Sequence, residues 1–301
     1  MDKYKTGSHA AMIWALRKYG QVGPRTFRAL MIRFPTLSSI FGAEMEEIEE
    51  ISGLGEKRSR KIYECDQYIP QAEEFINGLG EQSVGVCTIL DDDYPAGFHE
   101  LNDPPPIFFY RGRLPRRDEK LVSLIGSREA TSEGISRTVE LAGKLAEKSI
   151  SIVSGLARGI DSAAHIGAIK AKGTSYAVLG SGFDHIYPEE NRPLAIELTQ
   201  DGGLISEYPP YEKQTAGRLL DRNRLTVGLS QTVVIGEISG ESAGTLDCAT
   251  FCHEAGQLAF MLVGDGELGD ESRKTIERVL AMGIIPITMN DAVEKITRSL
   301  V

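Results

Sequence analysis

Three observations predict an α/β protein. Short apolar runs alternate with helical patterns from about Val84 onward, each run is followed by a loop rich in glycine, serine or arginine, and the first 80 residues read as helices without a strand pattern. The expected architecture is an extended Rossmann-type, mostly parallel sheet over residues 81–301. A small helical domain of the SAM/helix-hairpin-helix-like kind is expected over residues 1–80. With 301 residues, 41% of them hydrophobic, the chain can bury a core in one large domain and one small one.

The helical domain is punctuated by breaks at Gly20, Gly23-Pro24, Pro35, Gly53 and Gly55. Its most informative stretch is ISGLGEKRSRKI. Gly53-Leu54-Gly55 predicts a tight turn and residues 56–62 the start of a helix, the spacing of a hairpin whose exposed N–H groups can hold a phosphate. Lys57, Arg58 and Arg60 add positive charge, while Ser52 and Ser59 stand where proline and alanine are more usual. The earlier segment YGQVGPRTFRALMIRF reads as a degenerate copy.

In the large domain, strands are expected at 121–125, 151–153, 175–179, 204–206, 232–235, 258–263 and 284–287. Helices are expected between them at 132–148, 161–171, 245–255 and 271–282. Ligands of open parallel sheets sit beyond the carboxyl ends of the strands, so the loops there carry the functional argument. The first strand ends in Gly126-Ser127-Arg128, the second in Ser154-Gly155-Leu156-Ala157-Arg158-Gly159, the third in Gly180-Ser181-Gly182 and the fourth in Ser206-Glu207. Glycine allows close backbone approach, helix N-termini face an anion, and serine or arginine completes the cage, so these loops predict a phosphate-binding rim.

Composition narrows the alternatives. Thirty-three basic against 43 acidic residues give a net charge of −10, which opposes phosphate binding unless the positive charge is concentrated. Arg111, Arg113, Arg116, Arg117, Lys120 and Arg128 fall in one stretch, and Arg218, Arg222 and Arg224 in another; ordinary surface ion pairs are the competing explanation. No GxGxxG opens the first helix and no GxxxxGK[ST] occurs, which disfavours a dinucleotide cofactor and a P-loop NTPase, so no cofactor is expected. Four cysteines are too few for a disulfide framework, and Cys248, Cys252 and His253 lack a fourth ligand, so no metal is expected. No segment approaches the roughly 18 apolar residues of a membrane span and no signal peptide is evident, so a cytoplasmic protein is expected.

The segments IVSGLARGIDSAAHIGAI, YAVLGSGFDHIYPEEN, GGLISEYPP and DRNRLTVGLS, with LIGSREAT and DDDYPAGFHELNDPPPIFFYRG before them, resemble the DNA-processing protein A (DprA/Smf) family in order and spacing. The resemblance implies binding of single-stranded DNA in preference to duplex, self-association as a homodimer, and delivery of strands to RecA recombinase in natural transformation or recombination. It implies no catalytic activity. Carried onto this chain, it places Gly126, Ser127 and Arg128 on a phosphate, Arg158 at the basic position of its loop, and Arg222-Asn223-Arg224 as the family's Arg-Asn-Arg triplet, expected to bind the strand with Arg128 and Arg224 gripping successive phosphates. Ser154, Gly155, Gly180 and Ser181 are placed in the same crevice. The chain departs from the pattern at Leu219-Leu220-Asp221 and over 239–266.

Two other readings compete: a nucleotide-binding sensor, and a phosphoribohydrolase-like enzyme of the same superfamily. The enzyme's PGGxGTxxE glutamate is replaced here by Cys248, and the neighbouring carboxylates Asp247 and Glu237 have the wrong spacing. Phe183 and Tyr187 are candidates for base stacking, His185 and Asn191 for contacts to base or sugar. His165 reads as a packed helix residue and Asp161 as a helix cap.

Overall fold

The computed structural model describes residues 9–51, 53–240, 242–264 and 269–300. The chain divides into two compact units, the first comprising Met1–Tyr94 and Asn102–Phe109, the second Pro95–Leu101 and Tyr110–Val301. Ser52 and Glu241 lie outside the described residues, as does 265–268 within the departing segment.

The first unit holds the helices His9–Lys18, Pro24–Arg33, Met45–Glu49, Glu56–Tyr63 and Ile69–Leu79, and a strand β1 (Gly85–Thr88). Gly53 adopts φ +82°, which an L-residue rarely tolerates, and Gly55 caps the helix beginning at Glu56, as the hairpin spacing predicts. Ser59 is fully buried and its hydroxyl donates to the Gly55 carbonyl at 3.4 Å. The degenerate copy joins the helix His9–Lys18 to the helix Pro24–Arg33, and Arg58 of the later hairpin donates to Thr26 Oγ1 of this one at 3.1 Å. Trp14 stacks on Phe75 and meets Phe109 edge-on, anchoring this core.

β2 (Ile107–Gly112) spans the division between the units. β1 and β2 have no counterpart among the expected strands. β1 is only four residues long, and β2 follows Pro104-Pro105-Pro106, which cannot donate to a ladder and reads as loop.

The second unit contains β3 (Leu121–Ile125), β4 (Ser151–Ser154), β5 (Ser175–Leu179), β6 (Gly203–Ser206), β7 (Thr232–Ile235), β8 (Ala259–Leu262) and β9 (Ile285–Ile287). All seven expected strands are present, within one or two residues of their expected ends. They lie in the order β6-β5-β4-β3-β7-β8-β9, and every neighbouring pair is parallel. From β3 the chain winds outward to β6, returns to β7 and winds the other way, giving a mostly parallel Rossmann-type sheet with its topological switch point between β3 and β7.

Residue alternation assigns the two faces. Val122, Leu124, Val234, Phe260 and Leu262 point to the core beneath Leu141, Leu145, Ala164 and Ile296. Ile125, Val233, Ile235 and Met261 point to the opposite core, formed with Cys248, Ala249, Cys252 and Val279. Both faces are therefore covered by helices, as a parallel sheet requires. The open edge left to a ligand is the one beyond the carboxyl ends.

Candidate functional site

At the switch point the loops after β3, β4 and β7 enclose a cleft of about 510 Å³, entirely within the second unit. One wall is Gly126-Ser127-Arg128. Gly126 is required there, because a Cβ would lie 2.7 Å from the Ile160 side chain and 2.8 Å from the Glu237 carbonyl. The Ser127 amide donates to that same carbonyl at 3.0 Å and its hydroxyl accepts from the Glu129 amide at 3.3 Å, so the loop is held before any ligand arrives. Arg128 is exposed, and among the described residues its side chain makes no hydrogen bond or ion pair.

Behind the loop after β4 lies a buried charged cluster. Arg222 is 5% exposed and donates from Nη1 to the Val178 carbonyl at 2.7 Å. It occupies the space of the absent Gly155 side chain, since a Cβ there would fall 1.7 Å from Nη1. Its Nε–H has no hydrogen-bond partner among the described residues. Burial lowers the Arg222 pKa, Asp161 and Cys248 oppose that shift, and Arg128 adds to it by like-charge repulsion.

Asp161 is not the helix cap that the sequence suggests. The helix Ile160–Lys170 is capped at Gly159, and the Asp161 carboxylate accepts from the amides of Gly155 at 3.1 Å and Ala157 at 3.3 Å. Desolvation raises its pKa, opposed by Arg222 and these amides. Two N–H groups of the loop after β4, one of them on Gly155, which was expected in the phosphate-binding crevice, are thus spent on an internal carboxylate.

His165 is a fully buried helix residue, as expected. Ser175 donates its hydroxyl proton to the Ile152 carbonyl at 3.0 Å, so at 2.8 Å it accepts from His165 Nδ1, leaving Nε2 a bare lone pair without a partner. Burial, then Arg222, push the His165 pKa down to about 3.

The other expected residues divide between the rim and the core. Arg158 sits at the rim in a two-pronged pair with Glu190, Nε–Oε1 2.5 Å and Nη2–Oε2 2.7 Å. Tyr187 is exposed and shares a recess of about 30 Å³ with Arg128 and Arg158. Asn223 lines the cleft but is buried, its Nδ2 donating to Asp247 Oδ2 at 2.9 Å. Burial raises the Asp247 pKa. Glu237, the other carboxylate weighed for hydrolysis, accepts from the Thr131 amide and hydroxyl at 2.7 and 2.6 Å.

Several expected residues do not line the cleft. Arg224 is 7% exposed and forms a buried ion pair with Glu207 at 2.6 Å. Ser154 is fully buried and donates to the Leu124 carbonyl across the sheet. Gly180 packs against Leu219, and the Ser181 carbonyl accepts from Ser206. Phe183 is 1% exposed beneath Arg111, 5.2 Å from its guanidinium, and has no face for a base. Asn191, expected to be exposed, donates to the Leu156 carbonyl and Ser162 Oγ and so ties down the loop after β4. His185 is half-buried.

The arginine stretches also separate. Arg113 lies before β3, at the amino edge of the sheet, and pairs with Glu119 at 2.9 Å in a network with Ser151 and Tyr176. Arg218 pairs with Glu212 at 2.7 Å. Of these basic residues, Arg128 and Arg222 line the cleft.

Two further walls carry little signal in the sequence. One is the aliphatic surface of Ala216, Leu219 and Leu220. The other is the start of the helix Ala243–Ala255, whose N-cap, Ser242, is left-handed at φ +39° and makes no side-chain cap bond. Its only sequence signal was the glycine-serine segment at 239–245. Among the described residues, Cys248, Cys252 and His253 do not come together as a metal-holding group. Both thiols are buried, and burial pushes Cys252 up to about 12.

Residues 85–297 match the family model of DNA recombination-mediator protein A. Protein Smf of Synechocystis is 33% identical over 245 residues, covering 80% of this chain and 61% of that protein. DNA processing protein DprA of Bacillus subtilis is 33% identical over 202 residues, covering 67% of this chain and 68% of that protein. The chain thus spans about three-fifths to two-thirds of these relatives' lengths. The X-ray structure of DNA processing protein A from Streptococcus pneumoniae matches with a TM-score of 0.79 at 27% identity, covering 96% of this chain and 99% of that one. A Helicobacter pylori DNA processing protein A, described for its single-stranded DNA binding mode, matches with a TM-score of 0.62 at 25% identity, covering 72% and 97%.

Proposed function

Because the chain belongs to the DNA recombination-mediator protein A family, we propose that it binds single-stranded DNA along the carboxyl edge of its sheet and passes the strand to RecA in recombination or natural transformation. The observation that carries this reading is Arg128: an exposed guanidinium with no partner among the described residues, at the mouth of the switch-point cleft and beside the buried charge of Arg222. An arginine held without a counter-charge can take a phosphate in two parallel hydrogen bonds without first breaking an ion pair. Arg158 and Tyr187 extend the surface on one side, offering a second charge and an exposed ring.

The reading includes a homodimer and a cytoplasmic location, and it assigns no catalytic step. No described helix is long and apolar enough to cross a membrane. A titration of a labelled single strand and its matching duplex over a range of salt concentrations tests the reading. Preference for the single strand, with affinity falling steeply as salt rises, is expected. Equal affinity for the duplex, or binding indifferent to salt, overturns it.

A further inference from the structure

We propose that Cys87, Asp91 and Asp93 bind a zinc ion, that His9 supplies the fourth ligand, and that the ion ties the helix His9–Lys18 to the turn after β1. All four residues belong to the first unit, away from the cleft, and the inference is independent of strand binding. The sequence hides the set, because His9 and Asp91 lie 82 positions apart.

One ligand atom from each of Cys87, Asp91 and Asp93 lies within 4.8 Å of the other two. Cys87, in β1, is 1% exposed, and its Sγ stands 3.7 Å from Asp93 Oδ1. That separation is the edge of a tetrahedral zinc site: zinc–sulfur bonds of about 2.3 Å and zinc–oxygen bonds of about 2.0–2.2 Å, at the tetrahedral angle, put sulfur and oxygen about 3.5–3.7 Å apart. Asp91 is fixed from behind, its Oδ2 accepting from the Thr88 amide at 2.7 Å and the Thr88 hydroxyl at 2.9 Å. Its Oδ1 faces His9, whose Nε2 is 2.6 Å away. The His9 side chain is 47% exposed and has room to turn that nitrogen from the carboxylate to the ion.

Charge points to a cation as well. Among the described residues Asp91 pairs with His9 and with no lysine or arginine, and Asp93 has no ion pair. Two carboxylates converge on a buried thiol, and a divalent ion answers that excess of negative charge. Sulfur decides which ion. Magnesium and calcium take oxygen ligands, whereas thiolate, carboxylate and imidazole together suit zinc. As the zinc–sulfur bond forms, the thiol proton leaves to solvent, and His9 binds through Nε2 with its own proton on Nδ1. Four protein ligands close the site, so its role is to hold structure, not to activate water.

The test uses the full, untagged chain stripped of metal by a chelator, with zinc, magnesium and cobalt(II) as probes. Calorimetry is expected to show one zinc per chain, with magnesium at least a hundredfold weaker, and zinc is expected to raise the melting temperature. Cobalt(II) is expected to give a thiolate-to-metal band in the near ultraviolet and the visible bands of four-coordinate geometry. Cys87→Ser is expected to lose the ultraviolet band. Asp93→Asn, at an exposed position, is expected to weaken zinc at least tenfold while the metal-free chain melts as wild type does. The neighbouring Asp92→Asn is expected to leave zinc binding unchanged, and His9→Gln to weaken it at least threefold. If Cys87→Ser does not fold, Asp93→Asn decides alone. A wild-type chain that binds no zinc, or binds magnesium as tightly, overturns the inference. A thiolate band that survives Cys87→Ser, or zinc affinity unmoved by Asp93→Asn, overturns the location, and affinity unmoved by His9→Gln overturns the fourth ligand.

Discussion

Arg224 donates to Glu207 at 2.6 Å with both side chains less than a tenth exposed, whereas Arg128, on the loop after β3, makes no side-chain hydrogen bond or ion pair among the described residues. Two arginines that look equivalent in sequence therefore answer to different physics. One completes a buried ion pair; the other waits at a surface.

Replacing Arg224 by alanine removes the buried ion pair that the Glu207 carboxylate makes with it in the interior. A loss of about 3–5 kcal/mol of stability is expected, the usual result of breaking a buried pair from one side. Chemical denaturation measures it. Strand affinity of the protein that remains folded is expected to stay close to wild type.

Arg128→Ala is expected to do the reverse. The melting temperature holds, while single-strand affinity falls by about 1.5–3 kcal/mol, the range for a lost charge-assisted hydrogen bond. The slope of log affinity against log salt should drop by about 0.7, one phosphate contact fewer on a single strand. Arg128→Lys restores part of the affinity, since it keeps the charge and loses the fork. A folded Arg128→Ala protein with unchanged affinity removes the proposed site.

Arg158 is already engaged by Glu190 at the rim, and both side chains are more than half exposed. A strand phosphate must displace that carboxylate. Glu190→Gln is expected to tighten single-strand binding severalfold at low salt, an advantage that fades as salt screens the pair. Weaker binding in Glu190→Gln shows instead that Glu190 positions the loop.

Tyr187 and Phe183 separate in the same way. Phe183→Ala empties a buried position and is expected to cost about 3–5 kcal/mol of stability. Tyr187→Ala leaves the fold intact and weakens strand binding by about 1–3 kcal/mol if a base stacks on it. The paired measurements of melting and affinity tell the two rings apart.

His165 sets an acid limit. Its pKa is pushed down to about 3 in the folded state, first by burial and then by Arg222, against about 6.5 in the unfolded chain. Below pH 6.5 the unfolded chain takes up a proton that the folded one refuses, so stability is full above that pH and declines as pH falls toward 3. At pH 5 the loss from this group is about 2 kcal/mol. His165→Gln is expected to be less stable at pH 7.5, losing the ring packing, but to show a flatter decline between pH 6.5 and 4. An equally steep decline assigns the acid sensitivity to other groups.

The sequence by itself determined the seven parallel strands of the second unit, because runs such as LVSLI and TVVI are apolar on both faces and bounded by glycine-rich exits. It also determined that those exits share one edge, since parallel strands all end on the same side, and it located Gly126, Arg128, Gly155 and Arg222 at the cleft. It did not reveal β1 and β2, whose short length and preceding prolines hide the period-two signal.

Only the tertiary structure decided which charges are available. Arg222, Asn223 and Arg224 are consecutive, yet the first lies under Gly155, the second on Asp247 and the third against Glu207. Helical neighbours point about 100° apart, and their partners come from segments distant in the chain. Whether a guanidinium meets a carboxylate or open water is a fact of packing, which no local pattern of residues encodes.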